Sequence, residues 1–149
     1  MELITKSAAQ TRKIGAILAQ TLKSQKPGKR SFIIALRGEL GSGKTTFIKG
    51  FADGLGISDD VLSPTFLILK QFSLIGGAEH YKNLYHLDAY RLKNADELLD
   101  LGFEDLIKEP KNLIIIEWAD KIQKLIPRGA IWIKFKNPGK NKRIINLKS

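Results

Sequence analysis

Cysteine is absent from the 149-residue chain. That excludes disulfide frameworks, thiolate metal sites and cysteine nucleophiles. Histidine is nearly absent as well. His80 and His86 are the only two, too few for a typical zinc site without further ligands. Long hydrophobic runs are missing. Stretches such as Phe32–Leu36 and Leu113–Ile116 stop far short of the roughly 20 residues a membrane-spanning helix needs. The first residues lack the basic-then-apolar pattern of a signal peptide. A soluble cytoplasmic protein is the expectation.

Acid is scarce over two long stretches. Residues 1–50 carry ten Lys/Arg against Glu2 and Glu39, and residues 121–149 carry nine Lys/Arg and no acid. Nine of the fifteen acids crowd between Asp88 and Asp120, and the net charge is +10. A positive field favours polyanions such as nucleotides or RNA. The same excess also suits a merely solvated surface. Hydrophobic residues at 43% and charged residues at 27% are an ordinary globular balance. The length then suits one folded domain over residues 1–149.

The patterning mixes helix and strand signals. Ile14, Ile17, Leu18 and Leu22 recur at helical spacing after Ser7, a plausible N-cap. Phe32–Leu36 reads as a short buried strand, followed by a glycine-rich turn and a helix over 45–55. Further strands are expected over 66–72, 83–87 and 113–117, with Gly76-Gly77 as a turn between the first two. Asp96 opens a helix that Gly102 closes, and a short helix spans 119–125. Ala130 to Lys136 alternates apolar and basic residues before Asn137-Pro138-Gly139, so the chain should close on a β-hairpin. This order predicts a three-layer α/β domain of P-loop NTPase type, with a mainly parallel central sheet and antiparallel edge strands.

Gly38-Glu39-Leu40-Gly41-Ser42-Gly43-Lys44-Thr45 matches G-x-x-x-x-G-K-[ST] in full, between a strand and a helix. The glycines let the loop curl so that successive N–H groups point at phosphate oxygens. The helix that follows adds the positive end of its dipole. Lys44 would reach the β- and γ-phosphates, and the Thr45 hydroxyl would ligate Mg2+. Gly41, Ser42 and Gly43 complete the phosphate cradle, and Glu39 and Leu40 act through their backbone if at all. Thr46 is either a second hydroxyl near the α-phosphate or a plain first-turn residue. ATP with Mg2+ is the expected ligand.

Such a site also needs a carboxylate near the metal and a group that orients water. Asp88 and Glu117 each end a strand, where the crevice of a parallel sheet opens. Each could instead cap a helix or face solvent. Thr65, in Ser63-Pro64-Thr65-Phe66, resembles a switch threonine, or is a strand-entry residue held by Pro64. His86 is as much a packing or structural hydrogen-bonding residue as a catalytic one. Trp118 lines a nucleotide pocket, meets a partner or packs in the core. Arg91 contacts phosphate or pairs with Asp88 or Glu97.

Four motifs in order, Gly38–Thr46, Ser63-Pro64-Thr65-Phe66, His86-Leu87-Asp88-Ala89-Tyr90-Arg91 and Ile116-Glu117-Trp118, resemble the TsaE (YjeE) family over nearly the whole chain. Members are ATPases of bacterial tRNA threonylcarbamoyladenosine biosynthesis. The resemblance implies weak ATP hydrolysis alone and stronger hydrolysis with TsaB- and TsaD-type partners. It implies tRNA reached through that complex. It gives Leu40 to Thr45 to phosphate, Thr45 and Glu117 to Mg2+, and a catalytic or water-orienting role to Asp88, with Thr65 and Trp118 nearby. It also brings the Ser7 to Thr11 region and Lys140 toward the nucleotide. Glu39 stands where the family usually has Asp, a change that keeps the charge. A stand-alone small-molecule kinase and a nucleotide-dependent RNA-binding module, the latter resting on Lys134, Lys136 and Lys142, are the competing readings.

Overall fold

The computed structural model describes residues 1–57, 68–74 and 79–148. Its seven strands are β1 (Glu2–Thr5), β2 (Phe32–Gly38), β3 (Leu69–Ser73), β4 (Asn83–Asp88), β5 (Asn112–Glu117), β6 (Ile131–Gly139) and β7 (Lys142–Lys148). They form one sheet in the order β1-β7-β6-β2-β5-β4-β3. The central pairs β6/β2, β2/β5 and β5/β4 are parallel. The pairs β1/β7, β7/β6 and β4/β3 are antiparallel. The expected parallel centre with antiparallel edges is therefore what the chain builds.

Alternation along the strands sorts the core into two layers. Ile34 and Leu36 of β2 and Leu113 and Ile115 of β5 face helices α1 (Ala8–Lys23) and α2 (Lys44–Gly54). Ile33, Ala35, Ile114 and Ile116 face the other way, toward α3 (Ala95–Asp100), α4 (Phe103–Lys108) and the 3-10 turn Ala119–Leu125. With a helical layer on each side, β5 is buried along its whole length, which is why Leu113–Ile116 reads as an unbroken apolar run. Each such Leu or Ile contributes about 1.5–3 kcal/mol on burial. No helix among the described residues is long and apolar enough to cross a membrane.

Ser7 does cap α1: its hydroxyl accepts from the Gln10 N–H at 3.1 Å. Several details differ from the sequence reading, among them small shifts at the ends of α2, β4 and β6. β1 is an additional strand, four residues long, held by β7 from the far end of the chain. The helix from Asp96 starts one residue earlier, at Ala95, with Asn94 as its cap. Gly102 ends that helix but also starts α4, because its φ of 82° lets the chain turn at once into a second helix. Thr65, its Ser63-Pro64-Thr65-Phe66 motif and the Gly76-Gly77 turn lie outside the described residues.

Candidate functional site

β2 delivers the chain at the carboxyl edge of the parallel strands, where it curls through Gly38–Gly43 into α2. Gly41 and Gly43 hold φ of 74° and 103°, a backbone region that side chains with a Cβ disfavour. Gly43 is the N-cap of α2, so no side chain caps the helix, and its first turn carries no acid. The first N–H groups of α2 thus border the cleft without a capping side chain among the described residues, the arrangement that receives an anion. The loop braces itself from within. Ser42 Oγ donates to the Glu39 carbonyl at 2.5 Å, and the Lys44 ammonium donates to the Gly38 carbonyl.

A cleft of about 540 Å³ opens over this loop. Its floor is Leu40 to Thr46; Glu117 and Trp118 form one wall, and Ser7, Thr11, Asn141 and Arg143 the other. The expected phosphate-binding residues Leu40 to Thr46 are therefore in one place, while Gly38 and Glu39 of the motif lie outside the cleft lining. Thr45 is exposed and Thr46 half-buried, so both hydroxyls sit at the surface of the cleft.

Lys44 is 5% exposed, and burial pulls its pKa below the ordinary 10.5 against the opposing pull of Glu117, Asp120 and Asp88. Its Nζ also lies 3.4 Å from the centre of the Trp118 ring. A cation over an indole face is stabilised by roughly 0.5–2 kcal/mol. Trp118 reaches this place through a left-handed backbone, φ 56° and ψ 39°, which costs a bulky residue on the order of 1–3 kcal/mol. The strain turns the chain sharply at the end of β5, so that Glu117 and Trp118 both border the cleft.

Glu117 is 9% exposed and its Oε2 lies 2.9 Å from His86 Nε2. The two side chains meet because β4 and β5 are parallel neighbours with His86 opposite Ile115, two residues before Glu117 on the same face. Of the readings open for His86, the hydrogen-bonding one describes this structure: His86 fixes which way the Glu117 carboxylate points.

Asp88 is placed differently. It sits opposite Glu117 in register but does not line the cleft. One oxygen accepts from the Tyr90 N–H at 3.0 Å, capping the 3-10 turn Ala89–Arg91, and the other is 3.4 Å from Arg91 Nε. Arg91 is thus paired with Asp88. Lys140 occupies the hairpin tip with φ 55°, outside the cleft lining, while Asn141 and Arg143 from the same hairpin are within it.

The hairpin is tied to the P-loop by a residue the sequence marked only as part of a turn. Asn137 donates from Nδ2 to the Gly41 carbonyl at 3.4 Å and accepts from the Arg143 guanidinium at 3.1 Å. The opposite wall is set by the β1–α1 corner, where Thr5 and Thr11 hydroxyls meet at 2.6 Å. Thr11 then lies close above Gly43: a Cβ there would stand 3.5 Å from Thr11 Cγ2.

The family profile described as threonylcarbamoyl adenosine biosynthesis protein TsaE matches residues 5–145. A Bacillus subtilis tRNA threonylcarbamoyladenosine biosynthesis protein TsaE is 39% identical over 132 residues, covering 89% of this chain and 77% of that protein. The Treponema pallidum protein of the same name is 29% identical, with 91% of each chain covered. Among solved structures, the crystal structure of Bacillus subtilis YdiB superposes with a TM-score of 0.75 at 31% identity, covering 99% of this chain and 83% of that one.

Proposed function

The chain belongs to the TsaE family, and from that membership we propose that it binds and hydrolyses ATP as a subunit of the machinery that forms threonylcarbamoyladenosine beside the tRNA anticodon, together with TsaB- and TsaD-type partners. One observation carries the reading: an uncapped helix start, Lys44, Thr45 and Glu117 share a single cleft.

The α2 N–H groups and Lys44 hold the phosphates, Lys44 leaving the Gly38 carbonyl and the Trp118 face for the terminal phosphoryl oxygens. The donor set suits Mg2+, which takes one or two protein oxygens and completes its shell with phosphate and water. Thr45 and Glu117 are the oxygens that would hold it. When bound, the ion neutralises charge that develops on the phosphoryl oxygens. Trp118 and the hairpin wall screen the phosphates from water. Asp88 keeps acceptor sites beyond its contacts with Tyr90 and Arg91 and would orient water through them; Thr65 is carried over as the switch threonine by family resemblance alone. A stand-alone kinase needs an acceptor site and usually an arginine-bearing lid; Arg143 is the arginine among the described residues of the cleft.

The test is to measure ATP hydrolysis by the chain alone and with TsaB- and TsaD-type proteins, alongside threonylcarbamoyladenosine formed on unmodified tRNA supplied with threonylcarbamoyl adenylate as the donor. Hydrolysis that rises with the partners, and modification that requires all three proteins, is the expected result. Robust phosphorylation of a small-molecule acceptor without partners would replace this reading with the kinase.

His86 supplies a second check on the metal assignment. Losing a residue that orients a metal ligand typically weakens metal binding by about 10–100-fold. His86→Ala should therefore weaken Mg2+-dependent binding of a fluorescent ATP analogue by that order, while binding in EDTA stays unchanged. Equal losses with and without Mg2+ would assign His86 to packing alone.

A further inference from the structure

On the face of the sheet away from α1 and α2, the covering layer packs chiefly over β2, β5 and β4. Beyond its margin, the surface of β6 and β7 is basic. Alternation along β6 sends Ile131, Ile133 and Phe135 into the α1/α2 core and leaves Trp132, Lys134 and Lys136 on the opposite face. The register adds neighbours to each. Lys148 lies opposite Trp132, and Lys134 sits between Arg37 of β2 and Asn146 of β7. With Arg128 these residues line a groove of about 510 Å³. Arg37, Arg128, Lys134, Lys136 and Lys148 are exposed, while Trp132 is half-buried at the groove wall. Among the described residues of β1, β2, β6 and β7, Glu2 is the sole carboxylate, and its register places it at the outer edge beside Asn146.

We propose that this open sheet face binds RNA directly, its cations tracking the phosphate backbone and Trp132 offering a platform for a base. Glu39 and Asp120 line an adjoining pocket with Arg37, Lys134 and Lys136, but among the described residues none of the five cations is in an ion pair, and such a surface is the electrostatic footprint of a polyanion site. An acidic protein would satisfy the charges, but it has no use for an indole set among them, whereas nucleic-acid surfaces combine cations with stacking aromatics. The groove is separate from the P-loop cleft, with no lining residue in common. Direct RNA contact therefore goes beyond ATP hydrolysis and can fail while hydrolysis persists.

The experiment is fluorescence anisotropy of a labelled, unmodified tRNA transcript with the full chain, from about 50 to 200 mM salt. Affinity should fall steeply with salt. Lys134→Gln with Lys136→Gln should flatten the logarithmic salt slope by about two, one for each phosphate contact removed. Trp132→Ala should weaken binding by roughly tenfold, and Trp132→Phe should restore most of it. ATP-analogue affinity of the charge variant should match the parent. The proposal is overturned if the parent chain does not bind tRNA at the lowest salt, or if the charge variant binds with an unchanged slope. It is equally overturned if polyglutamate competes as well as a polynucleotide of equal charge, or if the charge variant loses ATP-analogue binding in step with tRNA.

Discussion

Lys44→Ala should reduce ATP hydrolysis, measured with the TsaB- and TsaD-type partners present, by about 10²–10³-fold, the usual cost of removing one group aimed at transition-state charge. The fold should survive. Lys44 is held almost wholly out of water, and burial already disfavours its charged form. The substitution removes that penalty together with the contact to Trp118, so the two effects offset and Tm should move by only a few degrees. Lys44→Arg should not rescue turnover. A planar guanidinium cannot replace a compact ammonium that must pass from the Gly38 carbonyl and the indole face onto a phosphoryl oxygen. Lys44 also links binding to protons. Its pKa lies below 10.5 in the free protein, and phosphate beside it would raise that value again. ATP binding at alkaline pH should therefore take up a proton, and isothermal titration in buffers of different ionisation enthalpy would detect it. Full turnover by Lys44→Ala in the complex would remove the P-loop from catalysis.

The parts of this site that the sequence made legible are those written in consecutive residues. Gly38 to Thr45 announces a phosphate loop because its glycines, Lys44 and Thr45 each answer a backbone, charge or metal-ligand requirement of that loop. Glu117 follows from a buried run that ends in an acid. The parts that stayed hidden depend on partners far away in the chain. Asn137 joins Gly41 across 96 residues. β1 exists because β7 pairs with it, Glu2 opposite Asn146. His86 could be packing, hydrogen bonding or catalysis until strand register set it two residues behind Glu117. Gly102 reads as a helix stop, and only its left-handed φ explains why a second helix begins there. Asp88 shows the limit from the other side: its strand-end position points toward the nucleotide, and only the structure shows that one of its oxygens also caps the turn at Tyr90 while the other faces Arg91.

Gly50→Ala should be the most damaging single-methyl change in the chain's helical layer. α1 and α2 cross closely enough that a Cβ on Gly50 would stand 1.8 Å from the Arg12 carbonyl oxygen and 2.6 Å from its carbon. Gly15 and Gly54 line the same crossing, with carbonyl oxygens of Phe47 and Ala16 at 2.2 and 2.5 Å from their ideal Cβ positions. The obstacle in each case is backbone, which cannot rotate away as a side-chain end can. Alanine gains about 1 kcal/mol over glycine in helix propensity. Overpacking costs about 1–3 kcal/mol and occasionally more, and a backbone oxygen at 1.8 Å places Gly50 at the upper end of that range, so the clash wins. The net loss should lower Tm by several degrees, at roughly 2–4 °C per kcal/mol for a chain of this size. Gly129→Ala, where a Cβ meets nothing within 4 Å, is the control and should leave Tm nearly unchanged. The consequence reaches the cleft. Separating the helices lifts the first turn of α1, and with it Thr11, from its seat over Gly43. ATP-analogue affinity of the folded Gly50→Ala fraction should fall with stability. If Tm holds, the close crossing is not what positions α1; if Tm falls but affinity per folded molecule does not, the wall formed by Ser7 and Thr11 contributes nothing to binding.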